Sequence, residues 1–161
     1  MNSKKVLKLL EEKEMIIKKV DHEPLMNMEE AKEINKNNDV AKNLFLVDEK
    51  DNYYLFSIKA NRRLSLKTLA LQLGVKELKL AKEDKMEKLL GISSGSLTPL
   101  ALLNDKKHII KGYIDYSFKN KIIGIHPLIN TCTVWMKNDD LIDLLKDNKE
   151  IINYINLEKI L

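Results

Sequence analysis

Leu44-Phe45-Leu46-Val47-Asp48-Glu49-Lys50-Asp51-Asn52-Tyr53-Tyr54-Leu55-Phe56 sets two apolar runs on either side of a short polar break. Each run has the length of a strand and is rich in large aliphatic or aromatic residues. Asp48 to Asn52 supplies a loop of suitable chemistry, so the stretch predicts a β-hairpin. Neither run alternates between apolar and polar side chains. Strands of that kind are covered on both faces, which places the pair in the middle of a sheet.

On the N-terminal side, Val6, Leu7, Leu9 and Leu10 recur at helical spacing within Lys4–Lys13 and predict an amphipathic helix. Met15 to Val20 reads as a short strand, and Met28 to Ile34, around Glu29-Glu30-Ala31-Lys32, as a second helix. On the C-terminal side, Ser65 is an N-cap for a helix carrying Leu66, Leu69, Ala70 and Leu73, closed by Gly74. Glu83 to Leu90 predicts a further short helix stopped by Gly91. Leu100–Leu103 and His108–Ile114 read as a second hairpin across Asn104-Asp105-Lys106-Lys107. Ile122–Ile125 and Thr131–Met136 add two strands, and Asn138 caps a last helix through Leu141, Ile142, Leu144 and Leu145. No repeat, low-complexity tract or linker divides these elements. The pattern predicts an α/β chain of the α+β kind, one domain over residues 1–161 with a mixed, mainly antiparallel β-sheet flanked by helices.

The 161 residues have one domain's length, and 44% apolar with 32% charged residues provide a packed core inside a solvated shell. Cys132 is the only cysteine, which excludes an intrachain disulfide framework and a Cys-based zinc site. No apolar run nears the roughly 20 residues that a membrane helix needs. The opening MNSKKVLKLLEEKEM interrupts its apolar residues with charges, unlike a secretory leader. A soluble cytoplasmic protein with no membrane partner is expected. The 28 basic and 24 acidic residues leave a net charge of +4, carried mostly by lysine because Arg62 and Arg63 are the only arginines. That balance is compatible with a polyanion such as RNA, although a solvated lysine face is the plainer explanation.

Several common machineries are not expected. The chain has no GxGxxG, GxxxxGK[ST] or HExxH. His22, His108 and His126 stand far apart without ligand-like spacing, so neither a metal nor another cofactor is predicted, and a serine-hydrolase elbow is not expected.

Three local patterns remain. Lys42 stands at the mouth of the apolar Leu44-Phe45-Leu46 strand, where a partly desolvated ammonium could stabilise developing negative charge. A lysine that marks the strand end and reaches into water accounts for it as well. Ser93 to Pro99 is a run of small residues ending in a stiff one, suited to close approach by a ligand; an ordinary helix-to-strand loop has the same composition. His126, before Pro127, is held extended between two apolar strands, with Asn130, Thr131 and Thr133 nearby. A structural turn histidine is the competing reading.

Taken in order, Lys42-Asn43-Leu44-Phe45-Leu46, Gly95-Ser96-Leu97-Thr98-Pro99, Leu103-Asn104-Asp105 and His126-Pro127-Leu128 through Asn130-Thr131 resemble the YbaK/ProXp family. These are freestanding aminoacyl-tRNA editing domains, also found inserted in some bacterial prolyl-tRNA synthetases. The resemblance runs from about His22 to Leu145, and the Lys-Asn-Leu-Phe-Leu form looks more like the alanine-editing branch than the cysteine-editing one. It implies hydrolysis of mischarged tRNA(Pro) in trans, with Ala-tRNA(Pro) as first candidate and Cys-tRNA(Pro) as alternative. The implied partners are the tRNA(Pro) acceptor end and prolyl-tRNA synthetase, not DNA. By the same resemblance Lys42 is the catalytic lysine, and Gly95, Ser96, Leu97, Thr98 and Pro99 shape the aminoacyl pocket. His126 and Asn130 join them in substrate binding. Leu100 and Ala101 depart from the Phe-Gly often found there, and His22-Glu23-Pro24-Leu25-Met26 departs from the usual small-apolar pattern. An aminoacyl ester is already activated, so water placement and oxyanion stabilisation suffice without a metal or covalent nucleophile. Two other readings stay open: a catalytically silent tRNA- or aminoacyl-binding module, and a small-ligand regulatory domain.

Overall fold

Phe45 and Leu46 are neighbours in sequence, yet they pack into different cores, and the architecture follows from that division. The computed structural model describes residues 1–24 and 41–157. Its strands are β1 (Lys18–Asp21), β2 (Ala41–Asp48), β3 (Tyr53–Lys59), β4 (Leu78–Leu80), β5 (Lys111–Asp115), β6 (Ile122–Ile125), β7 (Cys132–Lys137) and β8 (Ile151–Ile155). Its helices are α1 (Ser3–Glu12), α2 (Leu66–Leu73), α3 (Glu83–Leu90) and α4 (Asn138–Asp147). The larger sheet has the order β4-β2-β3-β5-β8, and a smaller antiparallel sheet has the order β1-β7-β6.

In the larger sheet β2 pairs antiparallel with both β3 and β4, whereas β3–β5 and β5–β8 are parallel. The mixed, mainly antiparallel character is as expected, with the strands divided between two sheets. The predicted hairpin is β2–β3, paired from Ala41↔Lys59 to Val47↔Tyr53, and both strands are interior. On one face of β2–β3, Phe45 and Leu55 join a core with Val6 and Leu10 of α1, Met86 and Leu90 of α3, and Val134 and Met136 of the small sheet. On the other face, Leu46, Phe56 and Ile58 pack against Leu69 and Ala70 of α2.

Local chemistry sets the helix ends. Asn2 Oδ1 accepts from Lys5 N–H at 2.9 Å at the start of α1, and Ser65 Oγ accepts from Thr68 N–H at the start of α2. Gly74 and Gly91 close α2 and α3 in left-handed conformations at φ of 74° and 68°.

Three expectations change. Leu100–Leu103 is not a strand: Pro99–Asn104 forms a 3₁₀ helix, with Thr98 Oγ1 accepting from Leu100 N–H. Proline presets φ for such a turn, and the polar residues that follow reverse the chain without making a hairpin. Asp105 Oδ2 instead accepts from Ile110 N–H at 2.7 Å, and β5 then runs parallel to β3. Asn138 does not cap α4. It is the helix's first residue, fully buried, and its Nδ2 donates to Tyr154 Oη at 2.8 Å. The chain also continues past α4 into β8, a strand that the sequence reading leaves out. The strand expected at Met15–Val20 is found as β1, shifted toward Asp21, and the helix expected at Met28–Ile34 lies outside the described residues.

The second core depends on Phe56, which is fully buried and stacks on Tyr113 with ring centroids 5.0 Å apart. Phe56→Ala should lower unfolding free energy by about 3–5 kcal/mol, measured by urea denaturation. A change under about 1 kcal/mol would mean that this face of the sheet is not a packed core.

Candidate active site

Three separate pieces of chain meet at the start of β2. Asn43 Nδ2 donates to the Leu97 carbonyl at 3.1 Å and ties the strand to the Gly95–Pro99 loop. A Cβ built on Gly95 would stand 3.2 Å from Asn130 Nδ2, so the β6–β7 turn lies directly against the loop. Ser96, Leu97, Thr98 and Pro99 are all buried. The Ser96 and Leu97 amides donate to the Ser93 and Ser94 carbonyls within the loop. Those two N–H groups are therefore committed, and the loop contributes shape more than free donors.

Period-two alternation separates Lys42 from Asn43. Asn43 shares a face with Phe45 and meets the loop, whereas Lys42 shares a face with Leu44 and Leu46. Lys42 Nζ is half-buried and donates to the Arg62 carbonyl at 2.7 Å. An ammonium carries three donors, so this bond leaves others for a ligand. The structure thus ties Leu97 to Asn43 and sets Asn130 against Gly95, with Lys42 at the same strand end on the opposite side.

Asn43 was part of a family-like segment but not a predicted site residue, and its cross-strand partner Ser57 carried no sequence signal. The two residues face the same side. Asn43 Oδ1 and Ser57 Oγ are buried and have no hydrogen-bond partner among the described residues. A buried acceptor left in this way is costly, which makes the pair notable.

His126 stands at the start of the β6–β7 turn, and its Nδ1 lies 2.9 Å from the Cys132 carbonyl. A carbonyl only accepts, so Nδ1 is assigned the proton and Nε2 is left as an acceptor. The ring centroid of His22 is 6.0 Å away. His22 Nδ1 donates to the Glu23 carbonyl at 2.7 Å, and its Nε2 lies 2.7 Å from Thr133 Oγ1. The sequence separates these histidines widely, but antiparallel pairing of β1 with β7, ending at Asp21↔Cys132, brings them together. Burial pushes the His126 pKa down, the Cys132 carbonyl works against that, and His22 adds to the lowering. His126 is therefore neutral near pH 7.

One spacing in the chain does match a serine-hydrolase elbow, Gly91-Ile92-Ser93-Ser94-Gly95. Its setting does not match. The stretch follows helix α3 rather than a strand, and Ser93 Oγ donates to Ser96 Oγ rather than to a histidine. Among the described residues, no group of three or more His, Cys, Asp or Glu side chains could hold a metal ion. No described helix is long and apolar enough to cross a membrane.

The model of the aminoacyl-tRNA editing domain family matches residues 22–144. Prolyl-tRNA editing protein ProX of Acetoanaerobium sticklandii is 30% identical over 142 residues, spanning 86% of this chain and 87% of that protein. Prolyl-tRNA synthetase associated domain-containing protein 1 of Danio rerio is 32% identical over 113 residues, spanning 68% of this chain and 61% of that protein. A solved structure described as a candidate trans-editing enzyme for prolyl tRNA synthetase superposes with a TM-score of 0.70. It covers 96% of each chain at 18% identity, a likeness of fold. The chain belongs to the aminoacyl-tRNA editing domain family, the YbaK/ProXp group.

The lowered His126 pKa has a stability consequence. The contribution is fully present above the unfolded value of 6.5, where both states are neutral. Below it the unfolded chain takes up a proton that the folded chain resists, so stability falls until the folded imidazole also protonates. NMR titration should place the His126 midpoint below 6.5, and His126→Gln should lose less Tm than the unmodified protein between about pH 7 and 5. A midpoint at or above 6.5 would contradict the buried, neutral assignment.

Proposed function

We propose that this protein is an aminoacyl-tRNA deacylase that acts in trans, in the cytoplasm, on mischarged tRNA(Pro), and that alanine is the amino acid it removes. The observation that carries the reading is the pair Asn43 Oδ1 and Ser57 Oγ, buried and unpartnered on the face of β2–β3 that Asn43 ties to Leu97. These acceptors suit the α-amine of a small aminoacyl group, whose side chain would sit under Gly95–Pro99. Asn130 against Gly95 limits the space available, which favours alanine over the proline ring. The relative named for prolyl-tRNA editing supports tRNA(Pro) as the carrier, with prolyl-tRNA synthetase as the enzyme whose errors are corrected. A synthetase pocket built for proline cannot strongly reject the smaller alanine by fit alone, so a second, smaller site has a physical purpose.

The chemistry needed is modest. Water attacks the ester carbonyl, the bond to the ribose oxygen breaks, and the proton passes to that oxygen, giving free alanine and tRNA. Lys42 faces the other side of the strand from Asn43, and its remaining ammonium donors supply positive charge on the terminal-adenosine side of the ester. His126, neutral and with Nε2 as an acceptor, orients the substrate. Recognition of tRNA through a few lysines, at a net charge of +4, should weaken as salt rises.

A deacylation assay on Ala-, Cys-, Ser- and Pro-tRNA(Pro) tests the reading. Alanyl hydrolysis should exceed prolyl hydrolysis by at least about tenfold, since a missing or extra methylene alone is worth roughly 10–200-fold. Lys42→Ala should lower the alanyl rate on the order of 10²–10³-fold with circular dichroism unchanged. An alanyl-to-prolyl ratio near one would remove the alanine assignment. Preference for the cysteinyl ester would move the protein to the cysteine-editing branch, and no hydrolysis of any ester would leave a binding module.

A further inference from the structure

Lys42 is held by a backbone carbonyl that is itself held by a side chain from another strand. The Arg62 carbonyl, which accepts from Lys42 Nζ, lies in the turn after β3, where Arg62 N–H donates to the Lys59 carbonyl at 3.0 Å. Asp115, the last residue of β5, is fully buried beside that turn. Its Oδ2 accepts from Arg62 Nε at 2.5 Å and from Lys59 N–H at 3.0 Å. Its Oδ1 accepts from Arg62 Nη2 at 3.2 Å and from Ser117 N–H at 3.0 Å. One carboxylate thus fixes both ends of the turn, Lys59 and Arg62, to the parallel strand β5.

We propose that Asp115 is a positioning residue for Lys42, acting through the Arg62 turn, so that the reach of the ammonium depends on a carboxylate it does not touch. A lysine side chain has four rotatable methylene bonds and carries about 2 kcal/mol of rotamer entropy, so its ammonium needs an external reference to stay in one place. The Arg62 carbonyl provides that reference only while the turn is fixed. A bidentate Arg–carboxylate bond with two backbone donors fixes it in direction as well as distance. Burial alone would raise the Asp115 pKa, but the Arg62 bond with the Lys59 and Ser117 amides outweighs it and keeps the carboxyl below its ordinary value. The clamp is therefore charged near neutral pH. Lys42 and Asp115 lie on the same face of the larger sheet, since Leu44 of β2, Tyr113 of β5 and Ile155 opposite Asp115 all border the second core.

This inference rests on the proposed role of Lys42, and two readouts on the full-length chain keep the two separable. The first needs no substrate. With ¹⁵N-labelled lysine, the Lys42 ammonium should be ordered in the unmodified protein and should acquire the mobility of the surface lysines in Asp115→Asn. An ammonium equally ordered in both overturns the positioning role, whatever the activity. The second is a double-mutant cycle on alanyl-tRNA hydrolysis. Asp115→Asn should lower kcat on the order of 10–100-fold, the scale of an ångström-sized misplacement. In a Lys42→Ala background it should change the residual rate less than about twofold, because the group it positions is gone. The same fold-loss in both backgrounds would make Asp115 merely structural. If Asp115→Asn does not fold, Arg62→Lys, which keeps the charge but loses the fork, replaces it in both experiments with the same expectations. An active protein in which Lys42→Ala is harmless removes the Lys42 assignment and the rate effect, while the ammonium measurement again decides the positioning. An inactive protein removes the proposed function and the rate effect, while the ammonium measurement still decides the positioning.

Discussion

Burial of β2 on both faces fixes the direction of every side chain along it. Phe45 enters the larger core with Leu55, and Leu46 enters the second with Phe56 and Leu69. A slip of one residue would exchange the two sets and put a polar Asn43 where Leu44 now packs. The register with β3 is therefore strongly determined. Lys42 and Asn43 inherit their opposite directions from that constraint rather than from any interaction of their own. The strand's apolar half places its polar end.

The polar groups buried nearby divide into two kinds. Asp48 is saturated: its carboxylate accepts from Lys50 N–H, Asn52 N–H, Asn52 Nδ2 and Tyr54 Oη. Asp115 is saturated in the same manner. Both hold a chain reversal at the end of a strand, where backbone donors would otherwise lack partners. Asn43 Oδ1 and Ser57 Oγ are different, because each lacks a partner and they stand opposite one another across β2–β3. Unpartnered atoms elsewhere, such as Trp135 Nε1 and Ser117 Oγ, do not form a cross-strand pair. Leaving a buried acceptor unmade costs about 1–3 kcal/mol, whereas an apolar pair of similar shape would be close to neutral. A sequence that keeps two such atoms under a loop breaks a local rule at one spot, as ligand sites do.

Elements governed by neighbouring residues were legible in the sequence. The β2–β3 hairpin, the Ser65 cap and the Gly74 and Gly91 stops each depend on chemistry within a few positions, and each is found. The second hairpin failed for the complementary reason. Asn104-Asp105-Lys106-Lys107 looks like a hairpin loop, but β5 takes its partners from β3 and β8, through parallel pairings that local composition does not encode. Asn138 has a capping residue's identity, yet a buried bond to Tyr154 in the next strand claims its side chain. The loop and turn motifs of the candidate site stand out in the sequence, but their assembly does not. Gly95 beside Asn130, His22 beside His126 and Asp115 beneath Arg62 are products of strand order. Arg62 itself reads only as one of two adjacent arginines until β5 supplies the carboxylate.

Selection by exclusion demands more of a fold than selection by attraction. A pocket that rejects a larger substrate does so only while its wall cannot yield, since a small backbone shift would relieve the clash. On the proposed reading the wall is the Gly95–Pro99 loop, which is buried along Ser96 to Pro99, tied to β2 by Asn43 and backed by Asn130. Pro99 adds a fixed φ at the point where the loop passes into its 3₁₀ helix. Each restraint is modest, but they act on different parts of one short segment and lead back to the doubly buried strand. The same strand end carries Lys42, referenced to β5 through Arg62. Pocket wall and cation are thus fixed to one rigid sheet by separate routes. On the proposed reading, that common frame lets the protein judge the size of an aminoacyl group and act on its ester in the same bound geometry.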